Sequence, residues 1–214
     1  MNSHTIKVLL IDDHELVRSG IEHLLSSDLD IDVVAVGSSG EDAIRLTEKL
    51  NPDVILMDLN MPGIGGTEAI KRILRKNPKA KIIALSVYDD GPIPHQAINF
   101  GAKGYINKGC PVDEMIKAVT TVFKGGNYLS SDVATNLVFS AQDVEQNTFS
   151  LLSDRELQIV TKIVDGHKIS DIADEPSISP KTVNTHRYRA HEKLGIASDI
   201  ELVRLALDQG LLGN

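Results

Sequence analysis

Two short apolar runs in this chain end in acid: Asp12 and Asp13 directly follow Val8 to Ile11, and Asp58 directly follows Val54 to Met57. Brief runs of this kind, rich in β-branched residues, read as buried strands. In an open parallel sheet, ligands bind outside the carboxyl ends of the strands at the topological switch point. The three carboxylates are therefore expected in one small site. Like charges so close repel and partly protonate, so the cluster fits a hard, oxygen-seeking cation, Mg2+, held among them. Such a cation polarises an incoming phosphoryl group, and a carboxylate can attack phosphorus to give an acyl phosphate. Asp58 is the candidate nucleophile.

Positioning these acids requires a sheet. Residues 6 to 124 alternate short apolar runs with amphipathic stretches about a dozen residues long, the pattern of repeated βα units around a parallel sheet. Strands are read at Lys7 to Ile11, Asp32 to Val36, Val54 to Met57, Lys81 to Leu85 and Gly104 to Ile106. Helices are read at His14 to Leu25, Gly40 to Leu50, Gly66 to Lys76, Pro94 to Phe100 and Pro111 to Phe123. The expectation is an α/β, doubly wound five-stranded parallel sheet over residues 1–126, with Gly91 and two prolines breaking the fourth connection into a long loop. Residues 127–149 read as a linker, and 150–214 as a small all-α domain of four short helices. In that domain Ser153 with Glu156, and Ser198 with Glu201, match capping boxes. Ser179 before Pro180 marks another helix start, while Gly166 and Gly210 suit helix exits.

The 214 residues are enough for two domains, each able to bury a core. A net charge of −8 argues against a generally basic nucleic-acid coat. The charge is uneven, however: residues 131 to 150 carry acids and no Lys or Arg, whereas 179 to 195 hold Lys181, Arg187, Arg189 and Lys193 against Glu192 alone. The single cysteine, Cys110, suits a reducing cytoplasm. No apolar run approaches the ~18 residues of a bilayer span, and the polar start is read as leaving no room for a signal peptide. None of the seven histidines shows a zinc spacing, and His14 is read as a solvated first-turn residue.

The string V-L-L-I-D-D-H-E-L-V-R, then D-V-I-L-M-D-L-N-M-P-G-I-G-G, then A-L-S and Y-I-N-K, resembles the receiver domain of two-component response regulators. L-S-D-R-E-L-Q-I-V followed by S-P-K-T-V-N-T-H-R-Y-R and E-K-L resembles the LuxR-type helix-turn-helix. Together they are similar to the NarL/FixJ class, most closely its GacA/UvrY/LetA subgroup. The resemblance implies a flavodoxin-like receiver in which Asp58 is the phosphoacceptor and Asp12, Asp13, Asp58 and the backbone carbonyl of Asn60 hold Mg2+. Lys108 would neutralise phosphoryl charge, Ser86 would bond the phosphoryl oxygen, and Tyr105 would follow Ser86 as a switch. The implied phosphodonor is a sensor histidine kinase. The implied product is a homodimer on double-stranded DNA.

In the helix that begins near Ser179, Val183, Ala190 and Leu194 share one face at helical spacing and are expected to pack inward. Lys181, Asn184, Thr185 and Tyr188 share another, which suits the major groove, while Arg187, Arg189 and Lys193 suit phosphates. By resemblance this is the recognition helix, preceded by a supporting helix at Ile169 to Asp174. The last helix presents Ile200, Val203 and Leu207, the face that dimerises in the family. The basic face alone is equally an ordinary solvated surface, and the last helix's face could pack on its own domain.

Four departures from the family pattern stand out. Gly109 follows Lys108 where many receivers have a cis proline. Pro176, Ala190 and His191 replace larger or apolar residues, so a smaller, wetter output core is expected. Two other functions compete: an aspartyl-phosphate phosphatase of the haloacid dehalogenase type, and a phosphate-independent DNA-binding protein. The phosphatase family needs a second aspartate two residues after the nucleophile, where this chain has Asn60. The chain is accordingly expected not to be an enzyme in the usual sense.

Overall fold

The computed structural model describes residues 5–89, 92–140, 148–174, 179–209 and 211. Pro176, Gly91 and Gly210 lie outside them. By contact the chain divides into two units, Met1–Val87 with Gln96–Ala134, and Tyr88–His95 with Thr135–Asn214.

The larger unit is an α/β sheet in the order β2-β1-β3-β4-β5-β6, parallel throughout. The strands are β1 (Ile6–Ile11), β2 (Ile31–Gly37), β3 (Val54–Asp58), β4 (Ile82–Ser86), β5 (Gly104–Asn107) and β6 (Tyr128–Leu129). The connecting helices are α1 (Glu15–Leu25), α2 (Gly40–Leu50), α3 (Gly65–Lys76), α4 (Pro92–Asn99) and α5 (Val112–Phe123). The five expected strands are present, and the sheet is extended by one. The sixth strand is two residues long, pairs Tyr128 with Gly104, and falls where a linker was expected. A further helix, α6 (Ser131–Ser140), follows it.

The central strands are apolar on both faces, as a sheet covered by helices on each side requires. On one face Val8, Leu10, Val54, Leu56, Ile83, Leu85 and Ile106 pack with Ile21 and Leu25 of α1 and with Met115, Ala118, Val119 and Val122 of α5. The intervening residues Leu9, Ile11, Ile55, Met57, Ile82 and Ala84 are also buried and, by strand alternation, point the other way.

The smaller unit contains a 3-10 turn (Thr148–Leu151), α7 (Asp154–Val164), α8 (Ile169–Asp174), α9 (Pro180–Leu194) and α10 (Asp199–Asp208), the four helices expected. Its core joins Ile159 of α7, Ile172 and Ala173 of α8 and Val183 of α9. Ser153 and Glu156 form a complete capping box. The second box is only half built: Ser198 accepts from the Glu201 amide at 3.3 Å, but the Glu201 carboxylate takes the amide of Ala197 at 2.8 Å in place of that of Ser198. No helix among the described residues is long and apolar enough to cross a membrane.

Candidate functional site

Because β1 and β3 are adjacent, with Ile11 opposite Met57, the residues that follow them emerge side by side. Asp12 and Asp58 are both fully buried. Each carboxylate is aimed by its own chain. Asp12 Oδ1 accepts the amide of His14 at 2.8 Å, and Asp58 Oδ1 accepts the amide of Asn60 at 3.0 Å. This turn chemistry leaves the second oxygen of each turned toward Lys108, whose Nζ lies 2.7 Å from both Asp12 Oδ2 and Asp58 Oδ2. Lys108 is itself held by its backbone, its amide donating to the Ser86 carbonyl at 2.8 Å. The next residue is tied down too, since the Gly109 amide donates to Asn107 Oδ1 at 2.7 Å. No described peptide bond is cis, so the bond between Lys108 and Gly109 is trans.

Burial disfavours the ionised Asp58, and neighbouring Asp12 adds to this; against Lys108 and the Asn60 amide, the net effect pushes the carboxyl up to about 6. Lys108 is shifted upward as well: burial alone would favour losing its proton, but the two carboxylates more than reverse that. The ion-pair distances around this ammonium are short, yet Asp12 Oδ2 and Asp58 Oδ2 receive no well-directed hydrogen bond, and neither does buried Asp13 Oδ1. One ammonium thus attracts both acids without satisfying them. Asp12, Asp13, Asp58 and also His14 offer ligand atoms that lie within 4.8 Å of one another. Hard carboxylate oxygens without full partners suit Mg2+. The residues fit the ion.

Ser86 ends β4 almost fully buried, paired with Asn107 across the ladder. Tyr105 is fully buried in β5. Gly66, read from the sequence as the start of the third helix, is under a steric constraint as well. A Cβ on Gly66 would stand 1.9 Å from the Asp58 carbonyl oxygen, so the start of α3 can press against the end of β3 only without a side chain there.

On α9, Val183, Ala190 and Leu194 face inward as expected. Lys181, Tyr188 and Arg189 are exposed. Thr185 is exposed, but its hydroxyl donates to the Lys181 carbonyl at 2.9 Å. Asn184 is half-buried and donates to the Pro180 carbonyl at 3.1 Å. Two of the expected phosphate contacts are engaged within the domain. Arg187 Nε pairs with Asp199 at 2.7 Å, and Lys193 Nζ with Glu156 at 2.6 Å. Burial opposes ionisation of Glu156, but Lys193 and the Ser153 contacts hold its carboxyl below the usual range. His191 is buried, with Nε2 3.2 Å from the same Asp199 oxygen. Nothing in the sequence pattern signalled these pairs. Along α10, Leu202 and Ala206 are buried while Ile200 and Leu207 are largely exposed and Val203 is half-buried.

A family model for the response regulator receiver domain matches residues 8–120, and one for bacterial regulatory proteins of the luxR family matches 150–206. Response regulator GacA of Pseudomonas aeruginosa is 44% identical over 209 residues, covering 97% of this chain and 98% of that protein. Response regulator UvrY of Escherichia coli is 44% identical over 208 residues, covering 96% and 95%. Among solved structures, RcsB from Salmonella enterica serovar Typhimurium, bound to promoter P1flhDC with the phosphomimetic BeF3−, superposes with a TM-score of 0.67 at 26% identity over 94% of this chain and 98% of that one. With both models matched in order and full-length relatives at this identity, the chain belongs to the two-component response regulators that join a receiver domain to a LuxR-type helix-turn-helix and regulate transcription.

Proposed function

We propose that a sensor histidine kinase phosphorylates this regulator on Asp58 and that the modification controls dimerisation and DNA binding by its C-terminal helices. The observation that carries the reading is the ammonium of Lys108, 2.7 Å from both Asp12 and Asp58 in a buried acidic cluster. Asp12, Asp13, Asp58 and the backbone carbonyl of Asn60 would hold Mg2+. When bound, the ion neutralises charge on the phosphoryl oxygens.

The remaining work falls to the chain. The Asn60 amide fixes one Asp58 oxygen and leaves the other to attack. As the new oxygen–phosphorus bond forms, the bond to the donor's imidazole nitrogen breaks; that nitrogen keeps the electron pair and is reprotonated from solvent. Lys108 meets the charge that develops on the transferred group. Ser86, at the end of the neighbouring strand, supplies a hydroxyl for the product, and Tyr105 is the switch that follows it.

A receiver over residues 1–126 that the short β6 extends into the expected linker at 127–149, and an output domain at 150–214, suit this division of labour. The solved RcsB is bound to a promoter, and we carry double-stranded DNA to this chain on the exposed Lys181, Tyr188 and Arg189, with Asn184, Thr185, Arg187 and Lys193 completing the surface. Exposure of Ile200 and Leu207 supports a homodimer through α10, with Val203 at its centre. A kinase-fed regulator of this kind works in the cytoplasm.

Asp58→Asn tests the reading. The variant is expected to fold and to take up no label from acetyl phosphate or a phosphorylated kinase in Mg2+. Uptake of one phosphoryl group per chain by the variant overturns the assignment.

A further inference from the structure

We infer that Asn107 is a positioning residue for phosphoryl transfer: its side chain ties the turn that carries Lys108 to the segment that follows Ser86, so that these two residues keep a fixed spacing. The inference rests on the function proposed above and adds a residue that the proposed transfer does not use.

Asn107 ends β5 opposite Ser86 of β4. The chain then turns at once: the Cys110 amide donates to the Asn107 carbonyl at 3.1 Å, which puts Lys108 and Gly109 at the two corners of a tight turn. Glycine is the least restrained of residues, and Gly109 stands where many receivers have a proline ring. In this chain the restraint comes from a neighbour. Asn107 Oδ1 accepts the Gly109 amide at 2.7 Å, closing an Asx turn around Lys108. A Cβ on Gly109 would stand 3.1 Å from that oxygen, so the small residue lets the side chain lie close over the turn.

The other end of the same amide reaches β4. A backbone N–H can only donate, so the Gly109 contact fixes which end of the Asn107 side chain is oxygen. The Nδ2 end is left to donate to the Val87 carbonyl, 3.4 Å away. Val87 directly follows Ser86 and is 62% exposed, so core packing restrains it little. One half-buried side chain thus holds both the residue after Ser86 and the residue after Lys108. Neither a hydroxyl nor an apolar side chain of this size offers a donor and an acceptor at opposite ends. Lys108 depends most on such a hold. Its ammonium sits at the tip of a flexible four-carbon stem, yet stands 2.7 Å from both Asp12 Oδ2 and Asp58 Oδ2. A root that drifts carries the tip away from the place where charge develops during transfer.

The experiment follows phosphoryl uptake by the full chain from radiolabelled acetyl phosphate in Mg2+, for the native protein, Asn107→Ala and Asn107→Ser, with Mg2+ affinity measured by calorimetry. Asn107→Ala is expected to lower the maximal rate about tenfold, while the half-saturating acetyl phosphate concentration and the Mg2+ affinity each change less than about twofold. Asn107→Ser, whose hydroxyl still accepts the Gly109 amide, is expected to recover part of the rate. A maximal rate for Asn107→Ala within about twofold of the native one overturns the inference, as does a serine variant no faster than the alanine one. A loss of Mg2+ affinity as large as the loss of rate also overturns it, because it marks a general loosening of the pocket. If the native chain takes up no phosphoryl group, the function proposed above fails and the inference falls with it.

Discussion

The proposed acceptor pocket and the proposed recognition helix, α9, treat their charges in opposite ways. In the pocket, Asp12 and Asp58 are sealed from water around a single ammonium, each fixed by an amide two residues further along. On α9, Lys181, Tyr188 and Arg189 stand in solvent, while Arg187 and Lys193 lean on Asp199 and Glu156. The contrast suits the tasks proposed for them. Transferring a phosphoryl group needs charges preorganised at low dielectric before the substrate arrives. Reading DNA needs side chains that can exchange water or a weak internal partner for a phosphate or a base edge. The pocket is rigid and electrostatically frustrated, whereas the helix is satisfied and ready to be re-partnered.

The largest effect expected from breaking this contrast is at Gly66. An alanine there would place Cβ against backbone atoms of Asp58 and Leu59, which have no side-chain freedom with which to yield. Gly66→Ala is predicted to destabilise the receiver by about 3 kcal/mol or more. Denaturant unfolding checks this, and a change within 1 kcal/mol would mean that the start of α3 is not pinned to the acceptor strand.

Next comes the frustration itself. The native protein keeps a proton on Asp58 up to about pH 6, whereas an unfolded aspartate releases it near pH 4. Between these limits the native state binds more protons, so the stability of the ion-free protein falls as pH rises. The loss through this window is about 3 kcal/mol, and Asp58→Asn should abolish it and be the more stable protein at pH 7. Thermal unfolding across pH 4 to 7, compared between the two proteins in chelator, measures it. Parallel curves would mean that Asp58 is ionised as easily in the fold as outside it.

The smallest effect separates the cations of α9. Lys181 is exposed, and Lys181→Ala is predicted to lower the slope of log affinity against log salt by about 1 per half-site. Lys193 is already neutralised by Glu156, so Lys193→Ala should change that slope less. Fluorescence anisotropy on a random-sequence duplex at several salt concentrations decides it. Equal slopes for both variants would show that the pair with Glu156 dissolves at no cost on DNA.

The sheet and pocket were legible in the sequence because both are written locally. Strand ends are marked by apolar runs that stop at an acid, and Asp12, Asp58 and Lys108 each stand within two residues of such an end. Three of the four output helices carried their own caps, Ser153, Ser179 and Ser198. What escaped notice is nonlocal or very short. Tyr128 and Leu129 form a strand only because Lys103 and Tyr105 offer carbonyls to their neighbours' amides or their own. Glu156 read as a cap, yet it also meets Lys193, 37 residues away. His14 is exposed, as read, but its approach to Asp13 depends on the turn between β1 and α1, which no periodicity records.

Asp199 has a consequence for how this protein can change over time. It opens α10, the helix that exposes Ile200 and Leu207, and its one oxygen Oδ1 serves both Arg187 and the buried His191 of α9. A substitution that tilts the first turn of α10 therefore also alters the company that Arg187 keeps. On the roles proposed for α9 and α10, subunit contacts and backbone contacts to DNA would not be separate traits in this domain. A lineage that adjusts one must readjust the other, and substitutions at Ile200 and Arg187 should be non-additive.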